Sequence, residues 1–406
     1  MKVLLVNKFF FMKGGAETVY FQERDMLLSE GVEIVEFSME HEKNIDSKYA
    51  DFFVDNVDYY QEQTIKNKID TAVNFIHNSQ ACEQFKALLK QEKPDLVHFH
   101  NIYHQLTPSI IKVAKQFGCK TVLTAHDTKI ACPSYTMYRD GHTCEACVHG
   151  SVWNATKYRC QEGSLIKSVL LSVEALYQQV SKNYQQLDAI VSPSRFLGRF
   201  IQEKLPNNRV DVIVNGIDEN ISLEGTTDKG YFLYLGRLSQ EKGVPTLAKA
   251  HQLMTKKAGL KIVGDGPVFN QLKESYPTAD LLGFKSGDEL LTLIKEAKAI
   301  IVPSECYENC SMSVIEAMSY GKPVIGSKIG GIPEQIREGI DGYLFEAGNA
   351  QDLADKLDSL VAAPENTIEM GHHSRERFLS KYTLTKHKTD LLNLYQALLK
   401  GSQDDN

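Results

Sequence analysis

Arg237 and Lys242 are two cations five residues apart in the segment Gly236-Arg237-Leu238-Ser239-Gln240-Glu241-Lys242-Gly243, directly after the apolar run Tyr231–Leu235. Brought together at the end of a strand they suit a diphosphate; apart, they are two solvated charges. Glu308 and Glu316 bracket the start of a helix expected near Ser311 and closed by Gly321 and Pro323. A phosphate can dock on the free N–H groups of such a helix start, here Cys310–Ser313. A carboxylate beside them can accept two hydroxyls of a sugar or ribose, each bond contributing about 1.5–3 kcal/mol. As an isolated pair, the two acids also fit unrelated surface positions. Gly264-Asp265-Gly266-Pro267 specifies a tight turn into a helix, with Pro267 suited to the first helical position, and names no ligand by itself. Gly14-Gly15 precedes another helix, where a bare backbone lets an anion come close; a plain tight turn is the alternative.

Cysteine and histidine offer a second kind of chemistry. Cys132, Cys144, Cys147 and Cys160 have the spacing C-x11-C-x2-C-x12-C. A Cys-x2-Cys flanked by two more cysteines fits a structural zinc site, with unligated buried thiols or a disulfide as the alternatives. His98, His100 and His104 are residue types that bind metals. His98 and His100 share one strand face at period two, which fits a cleft-lining or hydrogen-bonded role better.

These residues need elements to place them. Val3–Val6, Glu33–Phe37, Asp95–Phe99, Thr121–Ala125 and Ala189–Val191 are short apolar runs separated by helical patterns, the first about Glu17–Leu28. The rhythm restarts with Val210–Val214, Tyr231–Leu235, Leu260–Val263, Leu281–Phe284, Ala299–Val302, Pro323–Gly326 and Tyr343–Phe345. Alternating strands and helices with β-branched runs predict parallel sheets covered on both faces, so the fold class is α/β with two doubly wound units. The join is expected near Pro193-Ser194, giving units 1–194 and 195–384, with a Cys-rich insertion at 131–162. In such sheets ligands bind at the carboxyl ends of the strands. Gly14-Gly15, His100-Asn101 and His126-Asp127 would line one rim, and Arg237, Gly264 and Glu308 the other, across a cleft. The helix about Leu165–Leu187 carries Leu165, Val169, Val173, Leu176, Val180 and Leu187 at helical spacing; core packing is the favoured role and a membrane-surface face the sharper one.

Composition excludes several classes. The chain has 406 residues, 42% hydrophobic and 24% charged, which is ordinary for a globular protein and too long for one typical domain. Forty-five Lys and Arg against 52 Asp and Glu give a net charge of −7, so nucleic acid is not an expected partner. No apolar run is long enough to span a bilayer, and Met1–Val6 fits a buried first strand better than a signal peptide. Eight Cys in this length is not disulfide density, and the cytoplasm is the expected compartment.

Taken together and in order, Gly14-Gly15-Ala16-Glu17, His126-Asp127, Asn215-Gly216-Ile217-Asp218, the Gly236–Gly243 segment, Gly264-Asp265-Gly266-Pro267 and the Glu308–Glu316 pair resemble the family-4 retaining glycosyltransferases of the GT-B fold over nearly the whole chain. The Cys-rich insertion is similar to that of a subset acting in surface polysaccharide assembly. The resemblance implies that Arg237 and Lys242 bind the donor diphosphate and stabilise its departing charge. Glu316 would hold the ribose and Glu308 the donor sugar. Gly264 and the backbone of Asn309, Cys310, Ser311 and Met312 would help place sugar and phosphate. Gly15 would approach the phosphate from the other unit, and His126 would contact the transferred sugar. The helix 385–400 would return to the first unit. No cofactor is implied for catalysis. The implied partners are a nucleotide-sugar, a UDP-sugar favoured, and a glycan or lipid-linked glycan acceptor, with peripheral contact at the inner face of the membrane. A GT-B phosphorylase or epimerase, and a non-catalytic nucleotide-sugar-binding scaffold protein, are the alternatives. Asn309-Cys310-Ser311 departs from the Gly-rich stretch that members often carry.

Overall fold

A computed structural model describes residues 1–56 and 65–401. The first sheet is built from β1 (Lys2–Val6), β2 (Glu33–Phe37), β3 (Leu96–Phe99), β4 (Lys120–Thr124), β7 (Ala189–Ser192) and β8 (Val210–Val212), in the order β2-β1-β3-β4-β7-β8. A small antiparallel pair, β5 (Tyr138–Arg139) and β6 (His142–Thr143), lies in the Cys-rich insertion. The second sheet takes β9 (Tyr231–Leu235), β10 (Gly259–Val263), β11 (Asp280–Gly283), β12 (Ala299–Val302), β13 (Val324–Ser327) and β14 (Gly342–Phe345), in the order β11-β10-β9-β12-β13-β14. All pairings within the two large sheets are parallel.

Burial explains the apolar runs. In β9, Phe232 and Tyr234 enter one core and Tyr231 and Leu233 the other, as a strand with two covered faces requires. The first core gathers β1, β3 and β4 and also takes Leu391, Leu394 and Tyr395 from the helix Leu384–Lys400. That helix therefore crosses back to the first unit.

The join differs from the expected one. β8 pairs with β7 in the first sheet, with Ile190 opposite Val210, and the helix Arg195–Lys204 is the crossover between them. A boundary at Ser194 would cut this strand–helix–strand unit, which must close on one sheet. The chain leaves the first unit after Val212 and enters the second at Tyr231. Its outgoing and returning passages pair side by side: Ile217 N donates to Tyr382 O at 3.1 Å and Leu384 N to Ile217 O at 2.8 Å.

The helix Leu165–Ser181 is also a correction to the core-packing expectation. It buries Ser168, Leu171, Ser172, Glu174 and Gln178 and exposes Leu165, Ile166, Val169, Leu176 and Val180. Apart from Leu171 its buried face is polar, which hydrogen bonds make possible: Thr156 meets Ser172 at 2.7 Å, and Lys129 donates to Glu174 at 2.8 Å. Ile166 is 83% and Val180 74% exposed. No helix among the described residues is long and apolar enough to cross a membrane.

Candidate active site

The second sheet reverses its strand order between β9 and β12, the point where open parallel sheets form a crevice. Arg237 and Lys242 follow β9, and Glu308 follows β12. Lys242 Nζ donates to Glu308 Oε1 at 2.7 Å, and Ser304 Oγ donates to the same oxygen at 2.6 Å. Burial pushes the Lys242 ammonium down, but the Glu308 charge more than offsets this and holds it above its ordinary range. Arg237 is exposed, and its guanidinium has no hydrogen-bond or ion-pair partner among the described residues; its carbonyl accepts from Tyr234 at 2.8 Å. One cation is thus held in place and the other is free to meet a ligand.

Gly264 has φ +137°, and a Cβ there would lie 1.8 Å from the Gly236 carbonyl oxygen. The residue is glycine because two backbone turns press together, which fixes the turn carrying Arg237. A direct donor contact is not needed to account for it.

The helix after Glu308 runs Met312–Ser319 and is capped by Ser311. It starts one residue later than expected, and the Ser311 amide already donates to Gln335 Oε1 at 2.9 Å. The open amides therefore begin at Met312, and Ser311 is not a free phosphate donor. Cys310 receives a 3.6 Å contact from Gln335 Nε2, and burial pushes its thiol up to about 12. The Asn309 side chain is also committed: it accepts from Ser194 Oγ at 2.6 Å and donates to the Ala125 carbonyl at 3.2 Å. It ties the units together, so only its backbone remains for a ligand. Half-buried Glu316 has a carboxylate without a hydrogen-bond partner among the described residues, and burial raises it to about 7.

The first unit supplies the opposite rim. Gly14 caps the helix Gly15–Ser29, and a Cβ added at Gly15 meets nothing within 4 Å. Nothing in the protein itself demands glycine there. His126 Nε2 lies 2.9 Å from His100 Nδ1, with the two rings stacked at 5.2 Å. Burial pushes the His126 imidazole down to about 4, so it is neutral near pH 7. Next to it, Asp127 accepts from Tyr103 and from the Lys129 amide, the latter at 2.9 Å.

Beneath this rim His98 and His100 join a buried cluster with two residues that the sequence did not single out, Glu23 and His387. Glu23 Oε2 is 3.4 Å from His98 Nδ1 and 3.5 Å from His100 Nε2, while Oε1 is 3.0 Å from His387 Nε2. Burial alone would raise the Glu23 carboxyl, but His100, His98 and His387 around it hold it below the ordinary range. Glu23 had a signal: it falls between Val19-Tyr20 and Met26-Leu27 on the buried stripe of its helix, where a charge is out of place. His98 and His100 are hydrogen-bonded, as their period suggested, and His98 lies in the core with no exposed surface.

The residue types expected to bind metal fall in two places. Cys132, Cys144, Cys147 and Cys160 line one cavity and are free thiols. Among the described residues, however, only Glu23, His98 and His100 bring three metal-binding atoms within 4.8 Å of one another. Both nitrogens of His98 already face hydroxyls, Thr124 Oγ1 at 2.8 Å and Tyr395 at 2.6 Å, which makes it a hydrogen-bonding group. The insertion also reaches the opposite rim, a contact the sequence reading missed: Tyr307 donates to Glu145 at 2.5 Å, beside Glu308 and between Cys144 and Cys147.

Residues 13–221 match the model of Glycosyltransferase Family 4, and residues 218–377 that of Glycosyl transferases group 1. An uncharacterised glycosyltransferase of Methanocaldococcus jannaschii is 25% identical, covering 88% of this chain and 93% of its own. The lipopolysaccharide 1,2-N-acetylglucosaminetransferase of Salmonella typhimurium is 30% identical over 48% of this chain and 58% of its own. The sucrose-phosphate synthase of Thermosynechococcus elongatus superposes with TM-score 0.71 at 16% identity, covering 98% of this chain and 99% of that one. The Anabaena protein HepE, solved with UDP-glucose, does so with TM-score 0.63 at 15% identity over 98% and 100%. With the GT-B architecture and both halves matched, the chain belongs to glycosyltransferase family 4.

Proposed function

We propose that this glycosyltransferase moves a sugar from a UDP-sugar to an acceptor hydroxyl on a lipid-linked glycan, with retention of anomeric configuration, in surface polysaccharide assembly. The observation that carries this reading is the hydrogen bond from Asn309 to the Ala125 carbonyl. It brings the peptide next to His126 against the residue that follows Glu308, so the two rims face one small space. The diphosphate lies between Arg237, Lys242 and the helix amides from Met312 onward, with Glu316 on the ribose. Glu308, held by Lys242 and Ser304, and His126 take the sugar hydroxyls. As the anomeric C–O bond breaks, the cations receive the charge that develops on the diphosphate. The acceptor hydroxyl attacks from the same face and passes its proton to the departing phosphate oxygen. Catalysis in this scheme needs no metal.

UDP is favoured because HepE was solved with UDP-glucose. A lipid-linked acceptor at the inner membrane face is favoured by the exposed apolar stripe on the helix Leu165–Ser181. Co-flotation with lipid vesicles, lost in Ile166→Asp, tests that contact. The four cysteines that line one cavity would hold a structural zinc through their thiolates; about one zinc per chain by elemental analysis is the expected result.

A thermal-shift screen of UDP-, GDP- and ADP-sugars tests the donor. The right nucleotide at 100 times Kd stabilises by about 2.7 kcal/mol. Transfer to an acceptor, with the product anomer read by NMR, then separates this reading from a scaffold, which releases no product, and from a phosphorylase, which needs free phosphate.

A further inference from the structure

The buried cluster under the first rim contains two orphaned atoms. Among the described residues Glu23 Oε2 and His100 Nε2 have no hydrogen-bond partner, and they face each other at 3.5 Å; His98 Nδ1, 3.4 Å from the same oxygen, is already taken by the Tyr395 hydroxyl. Both side chains are fully buried. An imidazole lone pair aimed at a carboxylate is repulsive, whereas an N–H aimed at it is attracted to the negative oxygen. His100 therefore carries its proton on Nε2. Burial holds His100 neutral, which leaves Nδ1 as an acceptor. The group facing Nδ1 at 2.9 Å is His126 Nε2, so this nitrogen must donate. His126 then keeps its own Nδ1 unprotonated.

We propose that Glu23 is a positioning residue that, through His100, fixes His126 as the Nε2–H tautomer and so presents an Nδ1 acceptor to the cleft. This rests on the reading of His126 as a contact to the transferred sugar, and it adds a specificity: the group recognised there is a hydroxyl acting as donor. Glu23 is itself held from the second side. His387 Nδ1 faces the Val214 carbonyl at 2.8 Å, which can only accept, and His387 Nε2 faces Glu23 Oε1 at 3.0 Å. The active-site imidazole is thus anchored, through two side chains, to the crossing helix.

The test uses the full chain labelled with 15N at histidine. Long-range proton–nitrogen correlation spectra report which ring nitrogen of each histidine is protonated, and His126→Gln assigns the signal. The expected result for the ligand-free protein is an unprotonated Nδ1 on His126. Glu23→Gln should keep that tautomer. A neutral His387 still donates from Nδ1 to Val214 and accepts the new amide at Nε2, so the Gln carbonyl turns to His100. Glu23→Met, which keeps the volume and removes the acceptor, should give a mixture of tautomers. Donor turnover should fall about tenfold, the size of one hydrogen bond to a neutral group, with nucleotide affinity unchanged. An Nδ1–H or doubly protonated His126 in the wild type overturns the proposal. So does a folded Glu23→Met protein with an unaltered His126 signal. The spectra do not depend on activity, so failure here is distinct from His126 having no part in sugar transfer, which His126→Ala would show by normal turnover.

Discussion

Lys242 and Arg237 share a rim and differ in what they hold. Lys242 is paired with a half-buried carboxylate, while Arg237 is exposed without a partner among the described residues. Each should cost about 10²–10³ in kcat when changed to Ala, the size of one lost charge-stabilising donor. Only Lys242→Ala should also lower the melting temperature, because it strands Glu308; near wild-type turnover in both variants would remove the diphosphate assignment. Glu316 makes a prediction about pH. Its carboxyl is raised from 4.5 to about 7 by burial. Across that window the folded chain keeps a proton that the unfolded chain has released, so this residue makes the fold less stable as pH rises. Glu316→Gln should remove that slope and leave the protein about 3 kcal/mol more stable above neutrality. Ribose hydroxyls need the ionised acid, so nucleotide affinity should tighten through about pH 7 in the wild type and stay flat in Glu316→Gln. Calorimetry and melting curves across this range check both, and identical profiles for the two proteins would break the assignment.

Two glycines at element ends separate folding from function. Gly264→Ala drives a Cβ into the Gly236 carbonyl at a φ of +137° and should cost about 3 kcal/mol or more. Gly15→Ala meets open space at the first residue of a helix, so the fold should be unharmed. If that space is where the donor phosphate lies, Gly15→Ala should instead raise the donor KM; an unchanged KM would return Gly14-Gly15 to a plain turn. The same contrast shows what was legible in the sequence. Runs such as Tyr231–Leu235 and the turns that close them are local, and they placed Arg237, Lys242 and Glu308 at strand ends without a fold in hand. The sheet that β8 joins was not legible, because a three-residue strand pairs by where its crossover helix packs. Nor was the commitment of Asn309 and Ser311, whose partners lie 115 and 24 residues away. The helix Leu165–Ser181 misled because its buried side is satisfied by hydrogen bonds, so apolar spacing marked the outer face.

At the scale of the whole molecule, polar contacts tie the two units together across the cleft, beside the packing of Tyr307 on Phe196 and Phe200. Asn309 reaches Ser194 and Ala125, Tyr307 reaches Glu145, and Glu334 accepts the amides of Arg195 at 2.8 Å and Phe196 at 2.6 Å. The last is a cap on a first-unit helix supplied by the second unit. Glu334→Ala should open the ligand-free protein, raising its radius of gyration in solution scattering, and saturating donor should restore the wild-type value. An unchanged radius in the variant would mean that the remaining contacts between the units suffice. The crossing helix has a consequence for the order of assembly. Leu391, Leu394 and Tyr395 belong to the first core, yet the ribosome makes them after the whole second sheet. During synthesis, the first-made sheet must wait with an apolar groove uncovered, while the second can close as soon as its own strands emerge. The later-made unit is thus positioned to mature first. A nascent chain stalled before Leu384 should bind chaperones at the first unit, and release of the remaining residues should end that binding.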